Sequence, residues 1–597
     1  MSGTEAPTRS RPAAAGRRAT GSPWSSLPGM LFALARRHPD RPMLRYWRDG
    51  AWQRLRWGDF VLQVAHVAAW LRHQGVAPGD RVMLVGESRP EWNVADAAIM
   101  AIGAVTVPTY TTNTIADHAH VLRDSGARAV IASSPALAAR LAEAAAASGG
   151  LDLLLCMDPP GPAPGEPPLP PGLALHAWAE AAAHPADAAL LMAEAEQIPE
   201  GRLACLIYTS GTGGAPRGVM LPHRAMLANR EGVSGLLERL GVEGLPYLSF
   251  LPLSHSYEHT VGCYLLPSMG MEVVYSRGAD RLAAEFEAIR PAVVTAVPRL
   301  FEVLRAKMLA QVEKQGRPQR WLFERALAQG LRRLDGPPLG PAARLLDPLL
   351  DRLVREKVRG RFGGRLKALV SGGARLDPDL SGFFIALGLP LIQGYGQSEA
   401  GPVISVNLPW DNHRRTVGPP LAGVAARIAP DGELLVRGDL VMDGYWNNPA
   451  ATAEALRPGP DGATWLHTGD VGRIEAGRIT ITDRKRDFIK TLGGDMVSPA
   501  KLEGLLMAEP EIAQAVVAGE GQPGIVALLV AAEGMQARMA AAVARVNARL
   551  STIERIRRWQ EAPGPFTVEN GLLTPTMKVR RRAVLERYAT TLDALYR

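Results

Sequence analysis

Cysteine is scarce in this chain of 597 residues. Cys156, Cys205 and Cys263 stand far apart and form no CxxC pair, which argues against a disulfide framework or a zinc knuckle and fits a reducing cytoplasm. Long apolar runs are missing as well, none approaching the roughly 18 to 20 residues needed to cross a bilayer. The first residues carry arginines with no hydrophobic stretch behind them, so residues 1–22 read as a disordered basic arm, with an organelle-import presequence as the alternative. The glycine-rich stretch at 208–219 contains neither GxGxxG nor a complete Walker motif. The formal charge is +8, from 67 basic against 59 acidic residues, and no helix-turn-helix, zinc-finger or RNA-recognition signature accompanies it. The balance suits anionic small molecules without demanding nucleic acid. Length alone calls for two or more domains.

What is present begins with Tyr208 to Val219, YTSGTGGAPRGV, placed directly after the apolar run LACLI. Thr209, Ser210 and Thr212 offer hydroxyl donors, Gly211, Gly213 and Gly214 let backbone N–H groups approach an anion, and Arg217 adds fixed charge. This composition predicts a phosphate cradle at the end of a strand, where open sheets bind ligands. Strand patterns at 81–85, 129–132, 203–210, 293–297 and 368–370 alternate with helical ones, which predicts a mostly parallel α/β sheet architecture. From Gly432 the pattern turns to β. Between the strands near 293 and 368, residues 304–366 form a helical block dense in Arg, Leu and Ala. Its charged positions read as solvated faces or as a peripheral contact with anionic lipid on the inner face of the membrane.

The glycine-rich segment resembles the phosphate signature of the adenylate-forming enzymes, TSGTTGxPKG, with Gly213 in place of the second threonine and Arg217 in place of the lysine. Four further segments resemble the same superfamily in order: QGYGQSE at 393–399, HTGD at 467–470, DRKRD at 483–487 and ENGLLTPTMK at 569–578. The last, with the helical block, is similar to the long-chain acyl-CoA synthetases. The resemblance implies a large AMP-binding domain over 23–485, with parallel sheets, a β-rich subdomain and the 304–366 insertion, followed by a small mobile α+β cap over 486–597.

It also implies activation of a fatty acid by ATP to an acyl adenylate, then transfer to the thiol of CoA. By resemblance Lys578 carries positive charge to the reacting oxygens, Glu399 holds Mg2+ and His255 lies near the carboxylate. The phosphate loop, with Gly373, Ala374, Gly394, Tyr395, Gly396 and Ser398, surrounds the nucleotide. Asp470 and Arg484 hold the ribose, Arg486 is the hinge, and Gly493 and Gly494 let the pantetheine arm pass. Loading of a separate carrier protein keeps the chemistry and changes the acceptor. GQSEA at 396–400 is one residue from a serine-hydrolase elbow. The departures at 213 and 217 raise a catalytically dead binder, and His255 with His259 has the i,i+4 spacing of a zinc pair without a third ligand. Oligomeric state is not legible.

Overall fold

The computed structural model describes residues 21–159, 173, 175–209, 215–485, 488–493, 495–574 and 579–597. Among the described residues as far as Arg484, the strands form two eight-stranded sheets and a smaller antiparallel one. In the first large sheet, strands Leu203–Thr209, Val105–Thr109, Arg81–Val85, Ala129–Ala132, Leu153–Cys156 and Leu175–Ala177 run parallel in that spatial order. Arg217–Pro222 returns antiparallel beside Leu203–Thr209, and Gly444–Tyr445 caps that edge. In the second, the parallel run is Leu391–Gly396, Ala368–Ser371, Val293–Ala296, Pro246–Ser249, Glu272–Tyr275 and Pro42–Arg48. Antiparallel Val403–Val406 and Ala51–Arg56 close its two edges.

Local sequence sets the crossovers. Helix Ile115–Ser125 opens on a capping box between Thr114 and Asp117 and stops at Gly126, whose φ of 68° is left-handed. Helices Pro90–Ala101 and Pro135–Ala146 both start with proline, whose missing N–H costs nothing at that position. Pro90–Ala101 is buried at every residue. It lies between the two large sheets, and its Trp92, Val94 and Ile99 share one core with Val82 and Leu84 of the first sheet and Tyr247 and Val273 of the second. Each fully buried aliphatic side chain there contributes roughly 1.5–3 kcal/mol.

The antiparallel sheet is built from Ala425–Ile428, Glu433–Arg437, Thr464–Glu475, Leu456–Pro458 and Arg478–Arg484. Beyond it, helices Pro499–Met507 and Met539–Ala548 pack with a three-stranded sheet, Ile512–Ala518, Ile525–Ala531 and Ile556–Glu561, around a separate core. The architecture is thus mixed α/β with parallel sheets, a β-rich part and an α+β C-terminal unit. No helix among the described residues is long and apolar enough to cross a membrane.

Candidate functional site

A cavity of about 740 Å³ opens where the two parallel sheets and the antiparallel sheet converge. Its polar end is made of strand ends. Thr209 and Arg217 are cross-strand partners, and both line the cavity, so the intervening loop leaves and returns at its wall. Ser210, Gly211, Thr212, Gly213 and Gly214 lie outside the described residues. The Arg217 guanidinium stands 5.6 Å from the centroid of the Tyr445 ring, and the Tyr445 hydroxyl donates to Glu399 Oε1 at 2.9 Å. One phenol therefore ties the fixed cation of the loop to the carboxylate of the QSE segment.

Strand Leu391–Gly396 supplies Gly394, Tyr395 and Gly396 to the wall, and the short turn after it supplies Ser398 and Glu399. Only glycine fits at 396, because a Cβ there would lie 1.9 Å from the Pro402 carbonyl oxygen. Gly373, with φ of 75°, lines the cavity after strand Ala368–Ser371, whereas Ala374 beside it is exposed and stands outside the wall. Tyr395 donates to Asp470 Oδ2 at 2.6 Å, and Arg484 Nε lies 3.3 Å from Asp470 Oδ1. Burial and the neighbouring Asp470 charge hold the Tyr395 phenol well above its ordinary range, so it stays a donor. Asp470 itself is buried behind the wall, anchoring Tyr395 and Arg484, while Arg484 reaches the cavity.

Sequence reasoning passed over a neighbouring network. Glu433 accepts from Lys485 Nζ at 3.0 Å and from the Gly469 amide at 2.9 Å, and lies 3.0 Å from His467 Nδ1. Burial pushes the Glu433 carboxyl up, but the hydrogen bonds from His467, Lys485 and Gly469 outweigh it and leave it below the ordinary range. All four residues line the cavity. Tyr445 was equally hidden, since its strand is two residues long and carries no periodic signal.

His255 caps helix Ser256–Thr260, accepting from the Tyr257 amide, and lines the cavity with Ser256 and Tyr257. His259 turns away into the core, where its Nε2 is 2.8 Å from Asp96 Oδ2, so the two imidazoles do not converge. Ser398 donates to the Ser256 hydroxyl at 2.8 Å, a partner that cannot act as a base. Beneath this turn Glu258 is fully buried and accepts from Ser249, Tyr247 and Thr295.

The other end of the cavity is apolar. Leu236, Leu237 and Leu240 of helix His223–Leu240 face Val293 and Ala368 at the starts of adjacent strands. From the C-terminal unit, Thr574 lines the cavity, and a bridge between Leu573 and Val579 flanks residues 575–578 in sequence. Lys578, Arg486 and Gly494 lie outside the described residues, and Gly493 sits on an exposed turn away from the cavity.

A hard dication prefers oxygen ligands and keeps water and phosphate around it. Glu399 fits that role, as its Oε2 has no hydrogen-bond partner among the described residues and Thr209 offers a hydroxyl in the same wall. No cluster of three or more His, Cys, Asp or Glu suited to a metal occurs among the described residues.

Residues 31–446 match the family model for AMP-binding enzymes, and residues 486–597 that for the AMP-binding enzyme C-terminal domain. The chain is 35% identical over 595 residues to the long-chain-fatty-acid–CoA ligase FadD15 of Mycobacterium bovis, covering 95% of this chain and 96% of that one. It is 28% identical over 604 residues to the peroxisomal long chain acyl-CoA synthetase 7 of Arabidopsis thaliana, covering 92% and 82%. Similar folds include ATP-bound MatB from Rhodopseudomonas palustris, with TM-score 0.71, 22% identity and coverage of 95% and 100%. The A-PCP didomain of carboxylic acid reductase from Segniliparus rugosus, in complex with AMP, has TM-score 0.74 at 21% identity and coverage of 97% and 83%.

Proposed function

The chain belongs to the AMP-binding enzymes, and on that premise we propose that it is an AMP-forming long-chain fatty acid:CoA ligase. The observation that carries the proposal is one cavity with a phosphate-suited polar end and an aliphatic far end. ATP takes the polar end, with its phosphates against the loop between Thr209 and Arg217 and its adenine on the flat face of Tyr395. Arg484 donates to the ribose, held in place by Asp470. The fatty acid carboxylate enters beside His255, and its chain runs between helix His223–Leu240 and the strand starts at Val293 and Ala368.

Two anions must meet at the α-phosphorus, so the task is positioning and charge compensation. Arg217 supplies fixed charge from the loop side. Lys578 supplies it from the tail, and Thr574 at the wall brings it within reach, because four residues span at most about 14 Å. Glu399 and the phosphates would hold Mg2+, which when bound neutralises phosphate charge. Tyr445 orients the Glu399 carboxylate and keeps it beside Arg217. The cap rotates about Arg486 once the adenylate has formed, withdrawing Lys578, and the exposed turn at Gly493, with Gly494 next in sequence, then admits the pantetheine thiol. Three buried cysteines that form no disulfide suit work in a reducing cytoplasm.

The test is an assay with ATP, Mg2+, CoA and a ladder of carboxylates, quantifying nucleotide and thioester. Equimolar AMP and acyl-CoA are expected, with long chains preferred. ADP in place of AMP would overturn the reading.

A further inference from the structure

Among the described residues, an excess of positive charge and the most exposed aliphatic side chain, Leu345, occur together in the helical insertion. Residues 304–366 hold 15 Arg and Lys against 6 Asp and Glu, an excess of 9 that surpasses the +8 of the whole protein. The insertion packs through its inner side onto one face of the second sheet, with Phe323, Leu350 and Val358 in a core with Leu369 and Leu391. The cavity lies on the opposite face, against Val293, Ala368 and Val370.

Helix Pro341–Leu350 and the π turn Asp351–Arg355 after it show how the two sides differ. Their acids are engaged within the insertion. Asp347 pairs with Arg333 at 2.7 Å and Arg355 at 2.9 Å, and Asp351 with Arg359 at 2.8 Å. Gln329 of the preceding helix donates to Asp347 and to the Ala343 carbonyl, so positions 343 and 347 face inward. Half a turn away, Leu345 is 83% exposed, Leu349 50% and Leu353 36%, at a spacing of four residues. Arg344, Arg352 and Lys357 are exposed around that stripe and make no ion pair among the described residues; Glu356 is the one acid on the stretch that is likewise unpaired.

Leucines flanked by unpaired cations on one side of a helix match the chemistry of an anionic bilayer surface, with acyl chains below and phosphates at the level of the guanidinium groups. A second copy fits poorly. It would bring the same positive excess against itself, and three leucines fall far short of the roughly 800 Å² per partner that a stable interface buries. We propose that the outer face of residues 341–357 is a docking surface for anionic phospholipid membrane, lying on the surface and spanning nothing. This goes beyond the ligase reading and does not depend on it. Docking through this face would leave the cavity, on the other side of the sheet, open to the aqueous phase.

The test is flotation of the full-length protein with vesicles of phosphatidylcholine alone or with about 40% phosphatidylglycerol. Binding is expected only to the anionic vesicles and should weaken as salt rises. Combined Leu345→Ser, Leu349→Ser and Leu353→Ser should lower the partition coefficient at least about tenfold, leaving melting temperature and vesicle-free activity on a soluble carboxylate unchanged. Arg344→Glu with Arg352→Glu should lower it independently, which covers a misfolding leucine variant. The proposal fails if the intact protein does not float, if it floats equally with neutral vesicles, or if both variants bind as the parent does. It also fails if the leucine changes abolish a concentration-dependent dimer in place of vesicle binding. Failure of the intact protein to bind anionic vesicles while it still forms AMP would sink the docking surface alone, and vesicle binding by an intact protein that forms no AMP would sink the ligase reading alone.

Discussion

The polar and apolar ends of the cavity are built in different ways. The polar end gathers residues from short continuous segments: Thr209 and Arg217 from one hairpin, Gly394 to Glu399 from one strand and turn, and His467 to Gly469 from one β-strand. The apolar end is assembled from Leu236 and Leu240 on a helix, with Val293 and Ala368 on strands far along the chain. Phosphate and ribose chemistry needs specific donors at fixed spacing, which a segment can encode locally. An acyl site needs a volume free of side chains, which only packing defines. The two ends should therefore respond differently to mutation, the first through rate and the second through substrate range.

The largest effect is expected from Lys578→Ala. Adenylate formation should fall by about 10²–10³-fold while thioester formation from supplied acyl adenylate persists. Equal loss in both half-reactions would break the assignment of the tail to the polar end. Next is Tyr445→Phe, which keeps the ring under Arg217 but removes the hydroxyl donated to Glu399. A charge-assisted hydrogen bond of this kind is worth about 1.5–3 kcal/mol, so kcat/KM should drop roughly tenfold or more for every chain length alike. A drop confined to long chains would erase the distinction between the ends.

Smallest in its effect on rate is Glu258→Gln, beneath the wall shared by both ends. Burial pushes the Glu258 carboxyl up to about 7, against the downward pull of hydrogen bonds from Ser249, Tyr247 and Thr295. With its folded value raised, the stability it contributes is full below its ordinary value of 4.5 and is lost as pH rises through about 7. Glutamine cannot ionise, so that slope, on the order of a few kcal/mol, should vanish from the variant. Melting curves between pH 4.5 and 8 for both proteins check this; parallel curves would mean Glu258 does not titrate in that window.

Much of the fold was legible. The strands expected at 81–85 and 129–132 have those bounds, and LACLIYT forms the strand that carries the phosphate loop. Alternating apolar runs and capped helices leave few other solutions for a parallel sheet. The site was legible wherever a motif held the residues together: Thr209, Arg217, Tyr395, Ser398, Glu399 and His255 all meet at one cavity. Tyr445 was not, because its contacts to Glu399 and Arg217 span 46 and 228 positions of sequence and depend on a two-residue edge strand. Nor was the burial of Asp470 behind Tyr395, since a carboxylate that anchors a wall residue and one that binds ligand look alike in a sequence. Leu240 and Ala368 were not legible for a related reason: they are ordinary packing residues until the space between them is seen.

The most direct test of a single cavity serving two chemistries is Ala368→Phe assayed on a ladder of fatty acids. Ala368 borders the apolar end and pairs with Val293 in the sheet, so a phenyl ring there should shorten the accessible space without touching the nucleotide end. The prediction is a fall in kcat/KM that steepens with chain length, with short-chain turnover and the KM for ATP unchanged. A uniform loss across the ladder, or an unchanged preference for the longest chains, would contradict it.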